Sequence, residues 1–156
     1  MKFSVILSFV LIYTAAASVV QRSGKHLSQA EAEAKLEAAG IHASSTGGCT
    51  ERTNPRCTSY EGILSGTVNG AIKLKQECGC VITITGGTEV GHQAGRRSHA
   101  NEYKVDLRHN KALDNFIQTK FKRINNRGDG SPQWESPGGN IYADETGRNH
   151  WDVTYK

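Results

Sequence analysis

Three histidines, two acidic residues and a cysteine carry the residue types of hydrolytic chemistry in this chain. His92 and His99 sit in a glycine-rich stretch that follows Gly86-Gly87, and Asp106 comes seven residues after His99. His150 lies far downstream with Glu145 just before it. A His and an Asp joined across a loop and a strand, with a second His from a neighbouring strand, can hold a metal or orient a catalytic base. Taken singly, each of these residues fits a polar strand face with scattered surface histidines. Taken together they read as a site. Cys57 is the other candidate. The sequence places it just before a helix expected to begin near Thr58 or Ser59, where helix N–H groups would favour a thiolate and a nearby His would complete its activation. A disulfide with Cys49 is the equal alternative. It would staple the polar loop 50–56.

The elements that must position these residues follow from pattern. Ser28 and Glu31 form a capping box for a short helix that runs to about Ala39 and stops at Gly40. Residues 42–56 read as loop. Leu64, Val68, Ala71 and Ile72 give the second helix its apolar face, and Gly62, Gly66 and Gly70 recur along it, inviting a close neighbour. Residues 80–85 alternate and are β-branched, bounded by Gly79 and Gly86-Gly87, so they predict a strand. Tyr103, Val105 and Leu107 predict a second strand with Asp106 on its other face. Asn110 caps a third helix with the stripe Leu113, Phe116, Ile117 and Phe121. Residues 125–140 read as a long loop, and residues 151–155 as a terminal strand. Helices beside strands without a clean βαβ repeat predict the α+β class: a few helices on a small, mostly antiparallel sheet.

Composition sets the outer bounds. At 156 residues, with 37% hydrophobic and 22% charged residues, the chain is one small globular domain. It is too short for a multidomain enzyme, a polytopic membrane protein or a long coiled coil. Lys2, an apolar run over residues 3–13 and the small residues 14–18 predict a secretory signal peptide over residues 1–17 and a mature domain over 18–156. The product is expected to be extracellular and free of membrane insertion. Secretion in turn makes the four cysteines (Cys49, Cys57, Cys78, Cys80) candidates for disulfides. Cys78 and Cys80, with only Gly79 between them, are poorly spaced to bond each other. A net charge of +4 suits an anionic partner. The basic run Lys120, Lys122, Arg123 and Arg127 has only Phe121 as aromatic company, so no nucleic-acid partner is expected. The Arg127-Gly128-Asp129 tripeptide reads as a turn ahead of an adhesive motif.

Residues 57–63, the stretch Ile82 to Glu89, Gly91-His92, Ser98-His99, Tyr103 to Asp106 and Asn149 to Asp152 resemble the domesticated amidase effectors of ticks and mites, relatives of the second family of type VI secretion amidase effectors. The resemblance spans residues 39–155. It implies a secreted, antibacterial peptidoglycan amidase or endopeptidase that cuts peptide cross-links with a Cys–His pair and no cofactor. Carried over, Cys57 is the nucleophile, His99 the base with His92 as fallback, and Asp106 the residue that orients the imidazole. A second resemblance falls on the same residues. Ser98-His99 through Asp106, followed by His150, is similar to the SxHxxGxAxD…H pattern of D-Ala-D-Ala carboxypeptidases and hedgehog-like zinc peptidases. It implies zinc held by His99, Asp106 and His150, with Glu145 as base. The chain departs from that pattern. Ser98 adjoins the His, Glu102 replaces the Gly, Lys104 replaces the small residue, and Glu145 lies five residues before His150 rather than three. Both resemblances imply bacterial peptidoglycan as partner, and a monomer is expected. A non-catalytic wall-binding protein is the third reading.

Overall fold

The computed structural model describes residues 24–156, so the segment read as a signal peptide lies outside the described residues. Helix α1 (Gln29–Ala38) begins where expected. The Ser28 side chain accepts from the Glu31 N–H, and the Glu31 carboxylate accepts from the Ser28 N–H. It buries Ala32 and Leu36 and ends before Gly40, whose φ of 69° suits a helix stop. Helix α3 (Lys111–Lys120) is likewise capped by Asn110 and buries Leu113 and Ile117.

Helix α2 (Ser65–Cys78) starts later than the sequence implied. Residues 58–64 spend their backbone groups on distant partners instead. Ser59 N–H donates to Glu89, Tyr60 N–H to Gln29, and Gly62 N–H to the Leu27 carbonyl. Gly62 also sits at φ 79°, which no continuing helix tolerates. Within α2 the glycine pattern does admit a close neighbour: a Cβ on Gly70 would stand 2.1 Å from the Tyr155 ring.

Seven strands form one sheet in the order β1-β2-β3-β7-β6-β5-β4. They are β1 (Ile41–Ala43), β2 (Ile82–Gly86), β3 (Lys104–Arg108), β4 (Lys122–Ile124), β5 (Gln133–Glu135), β6 (Ile141–Glu145) and β7 (His150–Thr154). Only β1 and β2 run parallel, so the class is α+β with a mostly antiparallel sheet, as the sequence predicts. The parallel pair makes β1–α2–β2 a crossover unit that the sequence concealed. β1 is three residues long and buries only Ile41, too short a run for alternation to show. Strands β4 and β5 are equally short; β5 falls in the region read as loop, and β4 lies just ahead of it where the sequence reading placed no strand.

The core lies between the helices and one sheet face: Leu36, Val68, Leu74, Ile84, Leu107, Leu113 and Trp151 are all at most 1% exposed. Val105, Leu107, Trp151 and Val153 turn inward from the central strands β3 and β7. Period two then sends Lys104 and Asp106 of β3, and His150 and Asp152 of β7, to the opposite face. Glu145 of β6 joins them, paired directly with His150.

Candidate metal centre

Asp106 is the hub of that outer face. It is 4% exposed, and its Oδ1 takes no aligned hydrogen bond. His99 Nε2 stands 3.2 Å from that oxygen and His150 Nε2 3.5 Å from it. His99 is fixed through its other nitrogen, with Nδ1 2.7 Å from the Gly87 carbonyl. With Nδ1 as donor, Nε2 presents a lone pair to a carboxylate oxygen. That contact requires a positive centre between or beside the two, either a proton or a metal ion. Ligands about 2.0–2.1 Å from a tetrahedral zinc stand about 3.3–3.4 Å from one another, the spacing Asp106 keeps to both histidines. Imidazole nitrogens and a carboxylate oxygen are donor types that zinc accepts.

Burial alone would lower the His99 pKa. The adjacent Asp106 carboxylate, with Asp152 and the Gly87 carbonyl behind it, raises it above the usual imidazole range. Burial pushes the Asp106 carboxyl up, but His99, His150 and His92 outweigh it and hold it below the usual carboxylate range. Each group thus favours the charged form of the other.

His92 approaches from a second side. Its ring stacks on His99 with centroids 3.8 Å apart, and its Nδ1 lies 3.7 Å from Asp106 Oδ2. Its Nε2 meets Glu89 at 2.8 Å. His92, His99 and Asp106 bring one ligand atom each within 4.8 Å of one another. His150 lies outside this group and meets it at Asp106, so His99 and Asp106 are the residues common to both candidate ligand sets. Glu89 is buried and accepts N–H groups from Ser59 and Gly87. Burial raises its carboxyl, but His92 and these N–H donors prevail and hold it low.

Glu145 closes the other flank, its Oε2 3.2 Å from His150 Nε2. Its Oε1 accepts from the Arg127 guanidinium, which also reaches Asp129, and Asp152 at 2.8 Å. Lys104 Nζ binds the same Asp152 oxygen at 2.7 Å. A cleft of about 170 Å³ opens over these groups.

Cys57 does not have the character the amidase resemblance implied. It is bonded to Cys49, and all four cysteines are paired, so no thiolate is present. It also lies eight residues before α2 begins rather than directly ahead of it. Cys78 and Cys80 do bond each other, contrary to the spacing argument. Gly79 in the left-handed region turns the chain and brings the two Cα atoms to 5.1 Å.

Two of the departures from the zinc pattern, Glu102 and Lys104, have local counterparts in the structure. Glu102 stands at φ 63°, the conformation that suits the Gly of the motif, and is held there by Arg52 at 2.6 Å. Lys104 is neutralised by Asp152. Sequence reasoning missed Arg127 as a site residue, since it appeared only within a basic run and the Arg-Gly-Asp turn. It also missed Asp152, although the alternation of β7 puts it beside His150. Comparison with known proteins finds no family model, no curated protein and no solved structure that matches the chain.

Proposed function

We propose that this chain is a secreted zinc-dependent peptidase acting on bacterial wall peptides, with His99, Asp106 and His150 as ligands. The observation that carries the reading is the buried Asp106 Oδ1, without an aligned hydrogen bond, facing His99 Nε2 at 3.2 Å and His150 Nε2 at 3.5 Å. The seven-residue step from His99 to Asp106, the later His150 and the backbone conformation of Glu102 support the resemblance to D-Ala-D-Ala-type peptidases. The disulfide at Cys57 favours this over the cysteine mechanism. The positive charge and the apolar N-terminal run support an extracellular, wall-directed role.

Zinc held there would supply a Lewis acid for the scissile carbonyl. The Gly87 carbonyl fixes the tautomer and aim of His99. Glu145 Oε2 is the base: it takes a proton from the attacking water and returns it to the leaving amine, so that water and amide yield carboxylate and amine. Arg127 holds the other carboxylate oxygen and keeps Oε2 turned toward His150.

The test is digestion of purified bacterial sacculi, with muropeptides read by mass spectrometry. Hydrolysis that stops with a chelator, returns with zinc and ignores a thiol alkylator is the expected result. Bound zinc near one equivalent should disappear in Asp106→Ala and His150→Ala. Activity that persists without zinc, or a chain that binds none, overturns the proposal.

A further inference from the structure

The peptidase reading leaves open whether a wall peptide is trimmed from its end or cut within, and the shape around Asp106 bears on that choice. Two clefts meet there. One, of about 170 Å³, runs past Lys104, Arg127 and Asp152. The other, of about 210 Å³, runs past Pro55, Arg56, Thr85 and Val90 beside Cys57. His92, Asp106, Arg148 and His150 wall both. The ligand cluster thus sits between two clefts rather than at the blind end of one.

An enzyme that trims a chain end needs space for chain on one side and for a single terminal residue on the other. An enzyme that cuts inside a branched or cross-linked peptide needs an arm on each side. We infer that this site is endo-acting, and that the Pro55–Val90 cleft binds the second peptide arm; this rests on the peptidase reading above. The walls of that cleft match such a ligand. Val90 is 49% exposed, one of two large aliphatic side chains left open among the described residues, and with Pro55 it offers an apolar wall to a small side chain. Arg56 supplies positive charge for an arm carrying a free carboxylate, with Arg148 beside it in an ion pair with Glu145 at 3.6 Å. Glu89 adds no free negative charge, because His92, Ser59 and Gly87 already engage its carboxylate. The second cleft adds to the shared walls an apolar edge at Pro55 and Val90 and the cation Arg56, which the first lacks.

The experiment sets the zinc-loaded full chain against two substrates, a cross-linked muropeptide dimer and a monomeric pentapeptide with a free D-Ala-D-Ala end. The expected result is at least tenfold preference for the dimer. Val90→Arg, an exposed substitution that fills the cleft mouth, should raise KM for the dimer tenfold or more while zinc content and melting temperature stay at wild-type values. In the metal-free chain, titrating the dimer should shift backbone amide resonances at Arg56, Val90 and Gly91 as well as at Lys104. Trimming of the pentapeptide with the dimer spared overturns the endo-acting inference while the peptidase reading stands. Unchanged dimer hydrolysis in Val90→Arg, or shifts confined to the Lys104 side, overturns the assignment of the second cleft. Failure of the zinc-loaded chain to cut either peptide overturns the peptidase reading and this inference with it.

Discussion

Gly86→Ala tests the centre through one atom. Gly86 ends β2 directly behind Asp106, and an added Cβ would stand 2.4 Å from Asp106 Oδ2 and 3.1 Å from both its Cγ and the His92 ring. The first distance is about 1 Å short of ordinary contact, so the carboxylate must move by that much. It has little room, with His92 and His99 on either side and 4% of the residue exposed. A shift of 1 Å breaks the 3.2 and 3.5 Å spacings to His99 and His150 on which the zinc fit depends. Overpacking of this kind costs about 1–3 kcal/mol of stability. The loss of metal affinity should be at least the 10–100-fold seen when outer-shell support is removed, because here a ligand itself is displaced. Gly128→Ala, where a Cβ meets nothing within 4 Å, is the control. Competition against a chromophoric chelator reads the affinity, and thermal melts with and without chelator read the stability. Zinc affinity in Gly86→Ala within twofold of wild type would refute the argument that Asp106 is fixed by its packing against this glycine.

Zinc affinity should fall with acid, and the fall should begin above the ordinary histidine range. His99 must be neutral to bind metal, and its raised pKa lets protons compete at higher pH; zinc titrations at stepped pH check this, and a flat profile between pH 6 and 8 argues against His99 as a ligand. Arg127→Ala should lower kcat roughly 10–100-fold with zinc content intact, because Glu145 loses the partner on its Oε1; Arg127→Lys should restore part of it, and steady-state kinetics would show the split from KM. Replacing both Cys49 and Cys57 with serine should cost about 2.5 kcal/mol by loop entropy while specific activity survives. Denaturant melts and sacculus digestion together decide that point, and lost hydrolysis in a folded variant would return Cys57 to the mechanism. Trp151→Ala should cost about 3–5 kcal/mol, since the ring is fully buried at the sheet centre, with a visibly lower melting temperature.

Much of the site was legible because it depends on local spacing. Alternation in β3 put Asp106 opposite Val105 and Leu107, and the same alternation carries His150 and Asp152. The capping box at Ser28 and the Asn110 cap were legible because each is a contact within one turn. The start of α2 was not, because residues 58–64 are held out of a helix by Gln29, Leu27 and Glu89, which lie about thirty residues away on either side. Strands β1, β4 and β5 are too short for a period to register, and the sheet supplies the hydrogen bonds that define them. Arg127 left no signal because its role comes from where the β4–β5 connection folds, over Glu145 and Asp152. The Cys57 assignment turned on whether a thiol or a disulfide forms, a choice the spacing alone left even.

The position of β7 fixes when this molecule can become functional. It follows all six other strands in chain order, yet it lies in the middle of the sheet, bonded to β3 on one side and β6 on the other. Until it emerges, the earlier strands form two separate blocks with open facing edges, and His150 and Asp152 are missing from the cleft. Folding and assembly of the centre are therefore one late event joining distant parts of the chain, so a nascent or truncated product would carry neither a closed sheet nor a complete ligand set.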